Sequence, residues 1–395
     1  MASSLAIIIL LGLIANKLFE KLKLPGLLGM LILGILIGPH GLNWLSKDIL
    51  NASSDLRKIA LIVILLRAGL GLNKEELKLV GKTALKLSCI PGIIEGLFIA
   101  IASVKLLGFS FVQGGLLGFI IAAVSPAVVV PQMLNLIDKG LGKAKGIPTL
   151  ILAGASIDDV FAITIFSTFL GLYAGKNINI AIQILKIPVS IILGTLIGVL
   201  SAIIIIKIFK KYAIDNTKKI LIILSISIIL TLIEALLKGK LEIASLLGVM
   251  ALGFVISDEI PNVGDKVSKG LNEIWVFAQI LLFVLVGAEV NIVVAFKSGF
   301  LGIMIIALGI VGRSIGVLIS LKGSNLNKKE KLFCVIAYIP KATVQAAMGA
   351  VPLAAGVASG DVILAIAVLS ILITAPLGAI AINLSGPRLL ESNLS

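Results

Sequence analysis

Charged residues are scarce in this sequence, and long stretches of it carry none. Only 14% of the 395 residues are Asp, Glu, Lys or Arg, whereas a soluble domain carries about 25%. Apolar runs recur from one end of the chain to the other, and 59% of the residues are hydrophobic. This composition excludes a soluble globular fold and predicts an all-α polytopic membrane protein.

Side chains that ligate metals or carry redox chemistry are almost missing. The one histidine, His40, lies in a Gly-Pro-His-Gly turn, and the two cysteines, Cys89 and Cys334, lie in separate apolar runs. Their spacing suits neither a zinc or copper site nor a redox pair. We therefore expect no cofactor, and we interpret His40 as structural.

Basic residues are the one kind of charge in excess, and they lie mainly in short loops. The net charge is +14, but no basic patch is interleaved with aromatic residues, which make up 5% of the chain. We therefore expect no nucleic-acid partner. Alternate loops carry 22 and 9 basic residues. By the positive-inside rule, this asymmetry places the N-terminus outside and the C-terminus in the cytoplasm.

About thirteen transmembrane helices are predicted, and proline interrupts two of them. Span 112–136 contains Ser125 and Pro126, and span 331–354 contains Pro340, Lys341 and Thr343. Proline removes a backbone donor and clashes with the preceding turn. Within a membrane, the polar groups freed in this way are tolerated only where protein or a cavity satisfies them.

The two breaks suggest an internal repeat. Counting back five spans from the helix that follows each break gives residues 25–172 and 241–384. We predict that these are two inverted five-helix repeats with crossed broken helices. Residues 1–24 and 180–238 would be linker or scaffold helices of the same single domain, 1–395. Inverted repeats with broken helices are typical of the substrate site of a secondary transporter. Two unrelated proline kinks are the alternative.

Two adjacent aspartates, Asp158 and Asp159, are the only charges between Lys145 and Lys176. Each costs about 2.5–3.5 kcal/mol within a membrane, so such residues usually face a water-filled cavity on an ion or proton path. Neighbours on a helix point about 100° apart, so one carboxylate can face an ion while the other meets a cation. A carboxylate can hold a proton or a small hard cation, but not both, which is the competition that an exchanger needs. A surface loop with two acids is the alternative.

Single charges in other apolar spans are candidates to compensate the aspartates. Glu95, Glu289, Arg313 and Lys341 are each isolated in sequence. Because unpaired buried charges are costly, we expect opposite signs to meet. Glu95 and Arg313 occupy equivalent spans of the two repeats, which makes them plausible partners. The alternative is that these charges only fix helix packing.

Seven short stretches carry a resemblance to a known family. They are Leu66–Asn73 (LRAGLGLN), Cys89–Glu95 (CIPGIIE), Ala123–Pro131 (AVSPAVVVP), Lys145–Thr149 (KGIPT), Ala155–Asp159 (ASIDD), Val286–Val290 (VGAEV) and Ile339–Ala347 (IPKATVQAA). In this order they cover nearly the whole membrane region. The chain resembles the cation–proton antiporter superfamily, and most closely the NHA-type sodium/proton exchangers.

The resemblance implies a homodimer with a scaffold and a mobile core that moves by an elevator mechanism. It also implies that Asp158 and Asp159 form the Na+ and proton site, with Asp159 the main ligand, and that Ser125, Pro126 and Lys341 lie beside them. Family members with an Asp pair often carry lysine where this chain has Arg313. Arginine keeps its proton in proteins, which favours a one-for-one, electroneutral exchange with Glu95 as the partner of Arg313.

We therefore predict a transporter in the plasma (inner) membrane that exchanges Na+ (or Li+) for H+, and not an enzyme. The alternative is a sodium-coupled organic-solute symporter of the same broken-helix architecture. An intramembrane aspartyl protease needs two carboxylates that face each other from separate helices. Adjacent aspartates on one helix cannot provide that arrangement.

Overall fold

The computed structural model describes residues 1–22, 24–175, 180–237, 241–297 and 299–391. Lys23, Lys176, Lys238 and Lys240 entered the comparison of loop charges and lie outside these residues. Throughout the described ranges the secondary structure is helical, without a strand. The prediction of an all-α fold is therefore confirmed.

Eight α-helices form the first part of the chain, and α6 and α7 are the two halves of the first broken helix. Asn73 caps α5 by accepting from the backbone N–H groups of Glu75 and Glu76, and Gly108, in the left-handed region, ends it. A 3-10 turn (Lys143–Lys145) precedes α8. The bounds are α1 (Ala2–Lys21), α2 (Gly26–Ile37), α3 (Lys47–Asn51), α4 (Ser53–Gly71), α5 (Lys74–Leu107), α6 (Phe111–Ile121), α7 (Pro126–Asp138) and α8 (Ile147–Tyr173).

Ten α-helices follow, and α15 and α16 are the two halves of the second broken helix. Asn327 and Glu330 form a reciprocal capping box that begins α15. The bounds are α9 (Ile180–Lys211), α10 (Asn216–Leu237), α11 (Ser245–Glu259), α12 (Pro261–Ala288), α13 (Ile292–Lys297), α14 (Gly299–Ser320), α15 (Lys328–Ala337), α16 (Thr343–Met348), α17 (Val351–Ala354) and α18 (Gly360–Leu389).

The lengths of the helices fit a polytopic membrane protein. In the described part of the chain, nine helical segments are long and apolar enough to cross a membrane, with α6 and α7 taken together as one segment. The helix α2 and the segment Thr343–Ala354 are apolar but shorter. The chain is a multi-pass membrane protein, and the count of thirteen spans stays a prediction.

The packing of the helices relates the two predicted repeats. The helix α2 packs on α12, α4 packs on α11, and α5 packs along α14. Exchanging α2 with α11, α4 with α12 and α5 with α14 leaves this set of contacts unchanged. A two-fold relation between the intervals produces such a pattern, while their bounds, 25–172 and 241–384, remain a prediction.

Glycines allow a close approach between α9 and α11. Gly194 and Gly198 on α9 face the backbone of Ala244 and Gly248 at the start of α11, and any side chain at these glycines would meet that backbone. Small residues four apart let the backbones of membrane helices touch. This crossing joins α9 to the first helix of the second predicted repeat.

Candidate ion site at the crossing of two broken helices

The two interrupted helices meet at their breaks. Residues 122–125 separate α6 from α7, and residues 338–342 separate α15 from α16. The backbone N–H of Ser125 donates to the carbonyl oxygen of Pro340 at 2.8 Å. Pro126 is the first residue of α7, where its missing N–H leaves no helical bond unmade. Thr343 is the first residue of α16, at the corresponding place after the second break. The predicted break residues therefore lie where the two broken helices meet.

A glutamine amide joins the second broken helix to the first. The buried Gln345 donates from Nε2 to the carbonyl oxygens of Ile120 and Ala123, both at 2.9 Å, and of Ile121 at 3.3 Å. Carbonyls at the end of a helix have no partner within it. Sequence reasoning gave Gln345 no role, although a polar side chain four residues beyond Lys341 in an apolar span was the available signal.

Asp158 is fully engaged by an arginine and a backbone donor. The carboxylate is buried, with 1% of its surface exposed. Arg313 donates from Nη1 to Oδ1 at 3.1 Å and from Nη2 to Oδ2 at 3.0 Å. The N–H of Val124, in the first break, donates to Oδ2 at 2.8 Å. This bidentate fork is the geometry in which arginine binds a carboxylate most strongly.

Arg313 and Lys341 share a second carboxylate, Glu95. Arg313 Nε lies 3.1 Å from Glu95 Oε2, and Lys341 Nζ donates to the same oxygen at 2.7 Å. All three side chains and Asp158 are buried. The buried cluster thus combines two anions with two cations and is neutral when all four are ionised. Neutrality matters here because an uncompensated buried charge is strongly destabilising.

Asp159 stands outside this neutral cluster. Its Oδ1 is buried and has no hydrogen-bond partner among the described residues. The same holds for three other oxygens, namely Ser125 Oγ in the first break, and Thr343 Oγ1 and Gln345 Oε1 on α16, which follows the second break. Carboxylate, hydroxyl and carbonyl oxygens are the ligands that a hard cation prefers. The structure therefore separates the two aspartates, since one is saturated and the other has a free oxygen.

A polar cavity lies at the far end of α7 from this site. Its volume is about 530 Å³, and its lining includes Arg67, Asn135, Asp138, Gln279 and Asn383. These residues come from α4, α7, α12 and α18, so the cavity lies between several helices. The helix α7 therefore begins at the first break and ends at this cavity.

Glu289 lies outside the cluster, in a separate ion pair. Its Oε1 accepts from Arg57 Nη2 at 2.6 Å and from Ser53 Oγ at 3.3 Å, which links the end of α12 to the start of α4. His40 Nδ1 lies 3.1 Å from the side-chain amide of Asn291 near the same helix end. Sequence reasoning counted Arg57 among the loop charges and so missed it as the partner of Glu289.

Comparison with known proteins gives a family match over almost the full length. The family model described as "Sodium/hydrogen exchanger, transmembrane" matches residues 5–384. The chain is 36% identical to human sodium/hydrogen exchanger 9B2 over 402 residues, which is 97% of this chain and 72% of that protein. It is 33% identical to human sodium/hydrogen exchanger 9B1 over 411 residues, which is 98% of this chain and 78% of that protein.

A solved structure has the same fold. The sodium proton antiporter MjNhaP1 from Methanocaldococcus jannaschii aligns with a TM-score of 0.79 and 22% identity, covering 98% of each chain. This likeness shows a shared fold over nearly the whole of both chains.

Proposed function

The chain belongs to the sodium/hydrogen exchanger family, and we propose that it exchanges Na+ (or Li+) for H+ across a membrane by alternating access. This family consists of transporters and not of enzymes. The observation that carries the proposal is the buried, unpartnered oxygen of Asp159 beside a charge cluster that is already neutral.

The charge balance explains why cation and proton compete. Glu95 and Asp158 compensate Arg313 and Lys341, so an ionised Asp159 adds one uncompensated negative charge to a buried site. One proton or one Na+ supplies the missing positive charge. A carboxylate that binds one of them excludes the other, so each passage of the site carries a proton in one direction or a cation in the other.

Asp159 is the ion carrier in this proposal, and Asp158 positions it. Both oxygens of Asp158 already accept hydrogen bonds, whereas Asp159 Oδ1, Ser125 Oγ and Thr343 Oγ1 have free lone pairs. The family resemblance implies that both aspartates form the Na+ site, with Asp159 the main ligand. For Asp158 to bind Na+ directly, the fork from Arg313 would first have to open.

The exchange is proposed to be one-for-one and electroneutral. Arginine keeps its proton under all physiological conditions, so Arg313 contributes a fixed charge and no transported proton. Lys341 is held by Glu95 at 2.7 Å in the same buried cluster. Asp159 is then the single group that alternates between proton and cation.

Alternating access is proposed to follow the elevator scheme in a homodimer. The self-mapping contacts of α2, α4 and α5 with α12, α11 and α14 support the two inverted repeats, 25–172 and 241–384, within one domain. The polar cavity beyond α7 would admit a hydrated cation. We also propose that the protein lies in the plasma (inner) membrane, and the loop charges support an orientation with the N-terminus outside.

One observation favours a second candidate. A cavity of about 530 Å³ with Arg67 and Asp138 in its lining has room for a small organic solute, as a sodium-coupled solute symporter would need. The two candidates differ in what moves with sodium, because a symporter takes up labelled solute with Na+ and an exchanger moves protons against it.

The test is exchange in proteoliposomes with an imposed pH gradient. Adding Na+ should dissipate the gradient with the wild-type protein, and Asp159→Asn should abolish that response. Asp361→Asn, an exposed carboxylate in the first turn of α18, is the matched control and should exchange like wild type. Exchange by Asp159→Asn at the wild-type rate would overturn the proposal. Clamping the membrane potential tests the stoichiometry, because one-for-one exchange is independent of potential.

A further inference from the structure

The orientation of Arg313 depends on more than its two carboxylates. A long arginine side chain loses much rotamer freedom when it is fixed in one geometry. In this site its guanidinium must keep two N–H groups on Asp158 while Nε stays near Glu95. Something must hold the plane of the guanidinium in the direction that makes both contacts.

Tyr338, in the second break, contacts this guanidinium in two ways. Its carbonyl oxygen accepts from Arg313 Nε at 3.2 Å, and its ring centroid lies 5.4 Å from Arg313 Cζ. The tyrosine is completely buried. Cations over aromatic rings are attracted by the ring quadrupole, and more strongly where water is excluded. The ring and the carbonyl oxygen of Tyr338 therefore both restrict the guanidinium.

A glycine on the aspartate helix determines where this ring lies. Gly154 is one turn before Asp158 on α8, and a methyl group at this position would collide with the hydroxyl of Tyr338. That hydroxyl is buried and has no hydrogen-bond partner in the described chain. The next atoms that such a methyl would meet are Leu87 Cβ at 3.2 Å and Tyr338 Cζ at 3.4 Å. Without the hydroxyl, the methyl would therefore fit with only a small adjustment.

We propose that Tyr338, seated against Gly154, is a positioning residue that keeps Arg313 on Asp158 and thereby sets the affinity of the site for the transported cation. This inference rests on the proposed function of Asp159. Tyr338 touches neither proton nor cation in this scheme, and its effect passes through Arg313. The absent Cβ of Gly154 is what brings the second broken helix this close to the aspartates.

The expected effect follows from the charges around the pair. The charged and titratable groups around this pair include Cys89 and Glu95 on α5, Arg313 on α14, and Tyr338 and Lys341 at the second break. When the guanidinium swings away, Asp158 becomes an uncompensated anion next to Asp159. The added negative charge holds the transported cation more firmly, so the half-saturating Na+ concentration of exchange falls.

Four variants of the full chain, reconstituted in liposomes, test this. Tyr338→Phe keeps the ring and should keep the wild-type Na+ profile, which is the rate of exchange against Na+ concentration. Tyr338→Leu removes the ring and Gly154→Ala displaces it, so both should lower the half-saturating Na+ concentration by about tenfold while changing the maximal rate less, as expected when a carboxylate site loses its compensating cation. In the double variant Gly154→Ala/Tyr338→Phe the colliding hydroxyl is gone, and the profile should return to that of wild type.

The rescue separates positioning from a general packing defect. A wild-type profile in Gly154→Ala, or a shifted profile that Tyr338→Phe does not restore, would overturn the proposal even if Tyr338→Leu were too unstable to reconstitute. Asp159→Asn in the same assay tells the two hypotheses apart. If that variant is inactive while the Gly154 and Tyr338 variants keep the wild-type profile, only the positioning role fails. If Asp159→Asn exchanges normally, the proposed function fails as well.

Discussion

Replacing Arg313 by methionine should destabilise the protein more than replacing Arg313 and Asp158 together. The single substitution leaves Glu95 and Asp158 against Lys341 alone, so the buried cluster carries one uncompensated negative charge. In the double variant Arg313→Met/Asp158→Asn, Glu95 and Lys341 still neutralise each other at 2.7 Å. The asparagine carbonyl can also keep the hydrogen bond from the N–H of Val124.

The magnitudes follow from burial. Asp158 and Arg313 are each 1% exposed, so solvent does not screen their interaction. Removing one partner of such a pair destabilises by about 3–5 kcal/mol, whereas replacing the whole pair by neutral side chains is often close to neutral. The two substitutions are therefore coupled, and Arg313→Met alone should be about 3–5 kcal/mol less stable than Arg313→Met/Asp158→Asn.

Unfolding of the purified protein in detergent measures this coupling. The matched control is Arg313→Met/Asp159→Asn, which also removes a neighbouring carboxylate of α8. Since no hydrogen bond joins Asp159 to Arg313 among the described residues, this control should recover less stability than the Asp158 variant. Equal recovery in both double variants, or wild-type stability of Arg313→Met, would refute the assignment of Asp158 as the specific partner.

Three further substitutions test the packing around the site. Gln345→Leu removes the donor to carbonyls at the end of α6 and should destabilise by about 1–3 kcal/mol for each group left unsatisfied, measured by unfolding in detergent. The hydrogen bond to Glu330 raises the pKa of Lys145 above its ordinary value, so Lys145→Met should be less stable than wild type at neutral pH. That difference should disappear as the pH rises through the raised pKa, as a pH series of unfolding would show. Gly198→Leu should push α9 away from α11 and cost about 1–3 kcal/mol of stability. Gly81 lies within α5 and a Cβ there meets only open space, so Gly81→Ala should be at least as stable as wild type.

Opposite outcomes would contradict each of these arguments. Wild-type stability of Gln345→Leu would mean that water satisfies the α6 carbonyls. A stability difference for Lys145→Met that persists at strongly alkaline pH would mean that the ion pair with Glu330 is not its source. Equal stability of the Gly198 and Gly81 variants would mean that α9 can separate from α11 without loss.

Much of the helical framework could be predicted from the order of apolar and charged residues. The two aspartates are the only charges between Lys145 and Lys176, and within that stretch α8 runs from Ile147 to Tyr173. Pro126 and Pro340 marked the two breaks because proline cannot continue a helical hydrogen-bond ladder. The bounds of α3, α13 and α17 had no comparable signal, since helices of four to six residues bury too little apolar surface to leave a periodic pattern.

The sequence by itself determined that this protein crosses a membrane many times and that two aspartates lie among apolar residues. Both properties depend on whether whole segments are apolar, and the composition of each segment shows that directly. Only the tertiary structure decided that Asp158 receives the fork of Arg313 while Asp159 keeps a free oxygen. Adjacent helical residues point about 100° apart, so their roles depend on which distant helix faces each one. Gln345 and Tyr338 became visible for the same reason, because both act on residues far away in the chain.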